Sequence, residues 1–231
     1  MTRTAFVNQS SSLDQFLYQG KQRMARLHVA EKEMTKIFIL SIGLLLFLIP
    51  CLISCATPQS SRTGRAYEHG SRPSINISKL ERNIHDLINR ERQKQGLSPL
   101  AWNDTLSSIA RKHSQDMAMR NYFSHVTPEG HDFSYRYSQA GYSCAVHGQG
   151  NIYYTGAENI FQNNLYDRVV FMDGVAHYDW NTAGQIAEST VYGWMNSQGH
   201  RKNILTPYWK SEGIGVAISP DDKVYITQNF C

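Results

Sequence analysis

The stretch VYGWMNSQGHRKNIL, residues 191–205, places a histidine directly after a predicted helix end. Val191 and Trp194 are three residues apart, which is the spacing of one helical face. Gly199 follows them, and glycine commonly ends a helix because it tolerates positive φ. The pattern predicts a helix that stops at Gly199 and presents His200 to a surface or a cleft. On this segment alone, a capping or packing histidine is the alternative interpretation.

Three further blocks accompany this stretch in order along the chain: YFSH at 122–125, GAENI at 156–160 and VYITQNFC at 224–231. Together with GHRKNIL at 199–205 they resemble the CAP superfamily, also called the SCP/PR-1 or cysteine-rich secretory protein superfamily. The similarity is to the prokaryotic branch, which lacks most of the animal cysteines, and it runs from about Leu80 to Cys231. The resemblance implies an α–β–α sandwich with a small central antiparallel sheet.

In this superfamily two histidines and two glutamates line a cleft. By motif position, the resemblance makes His125 and His200 the two histidines and Glu158 the first glutamate. The position of the second glutamate falls close to Ser197, so this chain has a serine there. The resemblance therefore implies a cleft lined by His125, Glu158, Ser197 and His200, and we assign none of them as a catalytic residue.

Two imidazoles and one carboxylate with an open position form an acceptable ligand set for Zn²⁺ or a similar divalent ion. His125, His200 and Glu158 therefore form a candidate metal site. The alternative is that the same three groups form a hydrogen-bonded polar cluster without metal, and we favour this alternative. Glu158 lies between small and apolar neighbours, where a carboxylate is costly unless it is paired.

The choice between an enzyme and a binding protein depends on motifs outside this cluster. The chain has no Gly-x-Ser-x-Gly elbow and no His-Glu-x-x-His helix, and no carboxylate is assigned to orient His200. We therefore expect a binding protein. Since members of the superfamily bind sterols, fatty acids or other envelope components, the expected ligand is a lipid, a wall component or a protein. The alternative is a metal-assisted, protease-like hydrolase that uses the same cleft.

The segment IFILSIGLLLFLIPCLI at 37–53 is apolar almost throughout. This length suits either the core of a signal peptide or a minimal transmembrane helix. Residues 52–55, LISC, resemble the lipobox of lipoproteins, which predicts a signal peptide ending at 55 and lipid attachment to Cys55. An uncleaved signal anchor is the alternative. Both interpretations place the following residues outside the membrane and tether the protein to the cell envelope.

The remaining boundaries follow from composition. Residues 1–36 are either a cytoplasmic leader or a misassigned N-terminus, with Met34 as the alternative start. Residues 56–77 are a polar linker, and residues 78–231 are the CAP domain. The net charge is +4, and much of the positive excess precedes the domain. Because the domain has no basic stripe with interleaved aromatic residues, we expect no nucleic-acid partner.

Several elements of the domain can be predicted from local patterns. Ser78 and Glu81 have the spacing of a capping box, so a helix should begin at Lys79. A second helix should start near Asn103 or Asp104, and a short helix should cover 133–140. Residues 165–181 are interpreted as an insertion folded over the domain surface. A capping box at 182–185 should open the helix that carries Trp194, and a hairpin should pair 213–218 with 224–230. The inner face of the second helix should carry apolar residues and one packed, hydrogen-bonded histidine: Leu106, Ile109, Ala110, His113 and Met117.

Cys144 and Cys231 are isolated in the globular region. Export to an oxidising compartment favours a disulfide between them over two free buried thiols. On the chain-entropy model this crosslink contributes about 4–5 kcal/mol, less any strain. It would also hold the end of the last strand in place.

Overall fold

The structure is a computed structural model that describes residues 71–231. Our predictions for the leader at 1–36, the apolar segment and Cys55 at 37–55, and the linker up to residue 70 lie outside the described residues. Across residues 71–231, no helix combines the length and the apolar character needed to span a bilayer.

The described residues form five helices and eight strands. The helices are α1 (Ile77–Lys94), α2 (Asp104–Arg120), α3 (Phe133–Gln139), α4 (Ala183–Asn196) and α5 (Gln198–Ile204). The strands are β1 (Ala101–Trp102), β2 (Val146–His147), β3 (Tyr153–Tyr154), β4 (Ala157–Asn164), β5 (Tyr166–Met172), β6 (Val175–Trp180), β7 (Ser211–Ile218) and β8 (Lys223–Phe230).

A four-stranded sheet in the order β1-β7-β8-β4 forms the middle layer. The pairs β7–β8 and β8–β4 are antiparallel, whereas the two-residue strand β1 runs parallel to β7. Helix α2 covers one face of the sheet, and α1, α4 and α5 lie on the other. The predicted α–β–α sandwich is confirmed, with one short parallel strand added at the edge that the sequence pattern did not reveal.

Helix α2 lies directly against the backbone of β7. A Cβ atom added to Gly213 would be 2.0 Å from the Ser107 nitrogen, and one added to Gly215 would be 1.9 Å from the Arg111 nitrogen. The Ser107 hydroxyl donates to the Ile214 carbonyl at 2.7 Å, which is possible only at this short separation. Because α2 is fixed so closely, the loop that follows it is also held at a defined place over the sheet.

The predicted start of α1 is wrong by two residues. Asn76 caps the helix, and its side chain accepts the Lys79 N–H at 2.9 Å, so the helix begins at Ile77. Glu81, expected to complete a capping box with Ser78, is buried and accepts two hydrogen bonds from Arg111 at 2.9 and 2.6 Å. Tertiary pairing with α2 therefore determines the role of this carboxylate, and a local spacing rule could not show it.

The helix predicted to end at Gly199 ends at Asn196 instead. Ser197 has an extended backbone (φ −97°, ψ 124°), which interrupts the helical hydrogen bonds. Ser197 is therefore both the C-cap residue of α4 and the N-cap residue of α5. Gly199 and His200 therefore lie inside the short helix α5. The capping box at Thr182 and Gln185 that opens α4 is confirmed.

The insertion predicted at 165–181 is a β-hairpin formed by β5 and β6, which pair only with each other among the described strands. Asp173 and Gly174 both have positive φ (51° and 77°), as a tight two-residue hairpin turn requires. The Asp-Gly turn signal was present in the sequence. Apolar residues on both faces of β5 hid the period of two that identifies a strand.

The predicted disulfide is confirmed. Cys144 and Cys231 are bonded, with Cα atoms 5.6 Å apart. The Cys231 carbonyl also accepts the backbone N–H groups of Lys210 and Ser211, at 2.7 and 2.8 Å. The C-terminal residue is therefore fixed on the sheet next to β7.

The close contact between α2 and β7 predicts a large loss of stability for one glycine substitution and a small change for another. Gly215→Ala should lower the free energy of unfolding by about 3 kcal/mol or more, because its Cβ would overlap the α2 backbone. Gly199→Ala should change it by less than about 1 kcal/mol, since an added Cβ meets no atom within 4 Å. Urea unfolding of both variants checks this, and equal stabilities would contradict the packing.

Candidate functional site

The loop between α2 and α3 carries His125. Asn121 ends α2 in the left-handed conformation (φ 51°) and turns the chain towards the sheet edge. Inside the loop, the Ser124 carbonyl accepts a hydrogen bond from His113 Nε2 at 3.0 Å. His113 is buried on the inner face of α2, so its predicted role as a packed, hydrogen-bonded histidine is confirmed. It anchors the residue that precedes His125.

Glu158 lies near the start of β4, where it is buried with both carboxylate oxygens engaged. Its Oε1 accepts from His125 Nδ1 at 3.0 Å, and its Oε2 accepts from Arg136 Nη2 at 2.6 Å. His113 Nε2 lies 4.0 Å from Oε1. Burial alone would raise the pKa of Glu158, but the charges of Arg136, His113 and His125 outweigh it and lower the pKa to about 2. The group is therefore a carboxylate whenever the protein is folded near neutral pH.

The contact with Glu158 determines the tautomer of His125. A carboxylate only accepts hydrogen bonds, so His125 Nδ1 must carry the proton. In the neutral ring, the lone pair is then on Nε2, at the other side of the imidazole. The His125 carbonyl accepts from Arg136 Nη2 at 3.1 Å, so a single guanidinium holds both the histidine backbone and its carboxylate partner.

His200 reaches the same place from α5. Its ring centroid lies 6.5 Å from that of His125, with the ring planes inclined by 47°. Burial lowers the pKa of His200, and the nearby His125 lowers it further, to about 4. His200 is therefore a neutral imidazole at pH 7. The structure thus brings His125, Glu158 and His200 together in one cluster.

A chain of side-chain amides fixes His200 relative to Glu158. Asn159 follows Glu158 on β4 and projects to the opposite face of the sheet, where it donates to the His200 carbonyl at 3.2 Å and to Gln228 Oε1 at 2.9 Å. Asn203 of α5 donates to the Glu158 carbonyl at 3.2 Å and to Asn159 Oδ1 at 2.8 Å. Three of these bonds join α5 to the strand that carries the carboxylate, and the bond to Gln228 joins that strand to β8.

The amide chain continues across the face of the sheet towards α1. Gln228 donates to buried Glu212 at 2.5 Å, and His85 Nδ1 of α1 contacts the other Glu212 oxygen at 2.6 Å. His85 is almost covered as well. The buried carboxylate of Glu212 is thus satisfied from both sides, and the same polar layer links the outer helix α1 with the backbone of His200.

Arg136, Asn203 and Gln228 were not identified from the sequence as parts of the site. A buried glutamate required a partner, but the sequence offers many arginines and no local spacing connects position 136 with position 158. The short helix predicted at 133–140 was the only available signal, since it places Arg136 on an ordered element. Ser197 lies at the junction of α4 and α5, where its side chain does not cap α5, and its role in the cleft stays a prediction.

The residues present do not fit the three-ligand metal site. Both Glu158 oxygens are bound to Arg136 and His125, and among residues 71–231 no group of three or more histidine, cysteine, aspartate or glutamate side chains is placed to hold a metal ion. Zinc binding by His125, His200 and Glu158 stays a prediction, and it would require the carboxylate to leave one of its present partners.

The chain is similar in sequence to a known protein family. Residues 85–230 match the model of the cysteine-rich secretory protein family, CAP. The Bacillus subtilis (strain 168) proteins "Uncharacterized protein YkwD" and "Uncharacterized membrane protein YlbC" are 38% identical over 146 residues and 34% identical over 151 residues. These alignments cover 63% and 65% of this chain but only 45% and 34% of the relatives. The chain therefore spans less than half the length of either relative.

Two solved structures are similar to this chain. An extracellular protein containing an SCP domain from Bacillus anthracis str. Ames is 27% identical, with a TM-score of 0.47, over 69% of this chain and 44% of that one. A cysteine-rich secretory protein from Staphylococcus aureus subsp. aureus Mu50 is 20% identical, with a TM-score of 0.45, over 71% and 42% of the two chains.

The buried ion pair predicts a large loss of stability for Arg136→Gln. The substitution leaves the buried Glu158 carboxylate without its arginine partner, so the free energy of unfolding should fall by about 3–5 kcal/mol. Arg120→Gln is the control, because it removes an arginine paired with a half-exposed glutamate and should cost less than about 1 kcal/mol. Urea unfolding measures both, and similar losses would contradict the role of Arg136.

The histidine pKa values predict the pH dependence of stability. Because folding lowers the pKa of His200 to about 4 and also lowers that of His113, the unfolded chain binds more protons between pH 6.5 and 4. The free energy of unfolding should therefore fall as the pH decreases through this range, with His200 contributing on the order of 2 kcal/mol. Urea titrations at several pH values check this. The free energy of unfolding should depend less steeply on pH in His200→Gln. An unchanged dependence would contradict the lowered pKa of His200.

Proposed function

The chain belongs to the cysteine-rich secretory protein (CAP) family, and on that premise we propose that it is a binding protein of the cell envelope. Its cleft, built on His125, Glu158 and His200, recognises a lipid, a wall component or a protein outside the membrane. The domain acts as a tethered recognition module and not as an enzyme.

The observation that carries this proposal is the double engagement of Glu158. A general base or a nucleophile must reach the substrate, whereas Glu158 is only 5% exposed and each of its oxygens already accepts a hydrogen bond, from Arg136 or from His125. The ionised carboxylate therefore orients His125 and does not react. We propose that the far side of the His125 ring and the imidazole of His200, which is neutral at pH 7, contact the ligand. Such groups exchange hydrogen bonds with hydroxyl or amide groups.

Two observations support a location outside the membrane. The disulfide between Cys144 and Cys231 is typical of an oxidising compartment, where such bonds persist. The apolar segment at 37–53 precedes the domain, and its length suits a signal sequence or an anchor. We therefore place the domain on the outer side, attached through Cys55 as a lipoprotein or through an uncleaved anchor.

The hydrolase remains the second candidate because of one contact. Glu158 accepts the Nδ1–H of His125. In hydrolytic sites, a carboxylate bonded to a histidine in this way leaves Nε2 ready to accept a proton. Against it, the described cluster contains no assigned nucleophile within hydrogen-bond distance of that nitrogen. We therefore rank the hydrolase below the binding protein and derive no metal-dependent step for it.

Ligand capture tests the proposed function. The full chain, kept in neutral detergent, is incubated separately with wall and lipid fractions, and the material retained with it is measured. The His125→Ala/His200→Ala variant should recover at least about tenfold less, because loss of two hydrogen-bonding groups costs at least 1.4 kcal/mol. The control is Tyr135→Ala/Tyr192→Ala, which removes two exposed aromatic side chains of α3 and α4.

Two outcomes would contradict the proposal. Equal recovery by the wild-type chain and the histidine variant would show that binding does not use the cleft. Release of soluble fragments from either fraction by the wild-type chain, abolished by Glu158→Gln, would instead favour the hydrolase.

A further inference from the structure

The β5–β6 hairpin exposes four apolar side chains close to its turn, with Phe171 on one face and Val170, Met172 and Val175 on the other. Phe171 is 72% exposed, Val175 50%, and Val170 and Met172 40% each. Single exposed apolar residues are normal on a protein surface, and Met119 of α2 is one example. Four neighbouring ones at the end of a hairpin are not, and such patches mark interaction sites.

The part of the hairpin nearer the domain has a different character. Tyr178 and Trp180 stack with their ring centroids 4.8 Å apart, and Tyr166 packs edge-on against Tyr178 at 5.1 Å. Tyrosine and tryptophan combine an apolar ring with a polar group, so they are favoured where water meets the hydrocarbon of a bilayer. The hairpin therefore has apolar residues at its turn and aromatic residues nearer the domain. In a membrane protein, apolar residues lie in the hydrocarbon and tyrosine and tryptophan lie at its boundary with water.

The described chain starts at the same end of the domain as the hairpin. Arg72 contacts Asp222 with its Nε at 2.5 Å from Oδ1. The carbonyl of Asp222 accepts the N–H of Leu165 at 2.7 Å, and Leu165 directly precedes β5. The Leu165 carbonyl in turn accepts the N–H of Asn181, which follows β6, at 2.9 Å. One chain of contacts thus joins the entry of the polypeptide to the base of the hairpin.

The predicted membrane segment is within reach of the hairpin end. Residues 54–71 separate the apolar segment at 37–53 from Arg72, and a chain of that length spans at most about 60 Å. A seven-residue strand such as β5 is only about 23 Å long. A bilayer that holds the apolar segment can therefore also meet the hairpin end, without any change in the described domain.

We propose that the β5–β6 hairpin is a second membrane contact, which inserts Phe171, Met172 and Val175 into the outer surface of the bilayer that holds the N-terminal anchor. This inference rests on the membrane tether in the proposed function. It orients the domain with the 165–181 end towards the lipid, and the cleft at the opposite end of β4 faces away from it.

The charges of the hairpin define which lipids it prefers. Arg168 and Asp179 face each other across the strands at 3.8 Å, and the other charged residues, Asp167 and Asp173, are acidic. An acidic hairpin gains nothing from anionic headgroups, so the attraction is apolar and independent of lipid charge. Asp173 in the turn also limits the depth, because its carboxylate stays in the headgroup layer while its apolar neighbours reach the acyl boundary.

Site-specific photocrosslinking tests this inference. The full chain is mixed with phosphatidylcholine vesicles and carries benzoylphenylalanine in place of Phe171, or in place of Met119 as the matched exposed control. Sedimentation first establishes that the chain is attached to the vesicles. On irradiation, we expect phospholipid adducts at position 171 and only background adducts at position 119. Replacing phosphatidylcholine with phosphatidylglycerol should not increase the yield.

Substitution of the neighbouring side chains sharpens the test. Adding Met172→Ser and Val175→Ser to the position 171 probe should lower the adduct yield by about tenfold or more, since each apolar side chain withdrawn from lipid costs about that factor in partitioning. Asp173→Asn should raise the yield, because it removes the charge nearest the lipid.

The outcomes distinguish this inference from the proposed function. Sedimentation without lipid adducts at position 171 would overturn the hairpin contact and leave the tether intact. Crosslinks from position 171 to a second copy of the chain would also overturn it and would identify the hairpin as a self-association surface. Failure to sediment would contradict the tether itself, and the hairpin contact with it.

Discussion

A buried carboxylate organises the candidate site, and the need to neutralise it explains most of the surrounding structure. Glu158 is covered by protein and remains charged, which is tolerable only because Arg136 and His125 each bind one of its oxygens. Arg136 comes from α3 and His125 from the preceding loop. The carboxylate therefore binds two segments to the start of β4, and it determines which nitrogen of His125 faces outward.

The alternation of side chains along β4 connects this charge to the second histidine of the candidate site, His200. Glu158 projects to the face covered by α2, whereas Asn159 projects to the face covered by α5 and holds the His200 carbonyl. Two consecutive residues thus position the two histidines from opposite sides of one strand. A shift of one residue in the pairing of β4 with β8 would exchange the two faces and separate the histidines.

The domain has two surfaces with different chemistry at opposite ends of β4. The end that carries Glu158 is polar, hydrogen-bonded and held by the amide chain from Asn203 to Glu212. The other end carries the hairpin with exposed apolar side chains and lies beside the entry of the chain at Arg72. If the hairpin contacts the bilayer as proposed, the end that carries Glu158 points away from the lipid.

Local patterns were enough for the elements whose signals are local. The inner face of α2, the capping box at Thr182, the terminal hairpin and the disulfide between Cys144 and Cys231 all agree with their predictions. The resemblance of four short blocks also identified His125, Glu158 and His200, and the structure brings these three together. Predictions failed where a tertiary contact replaced a local rule. Glu81 pairs with Arg111 and not with a helix cap, and Ser197 interrupts the helix before Gly199 can end it.

By itself, the amino-acid sequence determined the layered fold, the starts of α2, α3 and α4 and the identity of three residues of the candidate site, because periodicity, capping and motif spacing act over a few neighbouring positions. Only the tertiary structure decided that Arg136 neutralises Glu158, that both carboxylate oxygens are occupied, and that the 165–181 hairpin begins beside Arg72. Each of these facts joins residues that are 22 or more positions apart in the chain, and only the packing of α2, α3 and the strands determines which of the many possible partners meet.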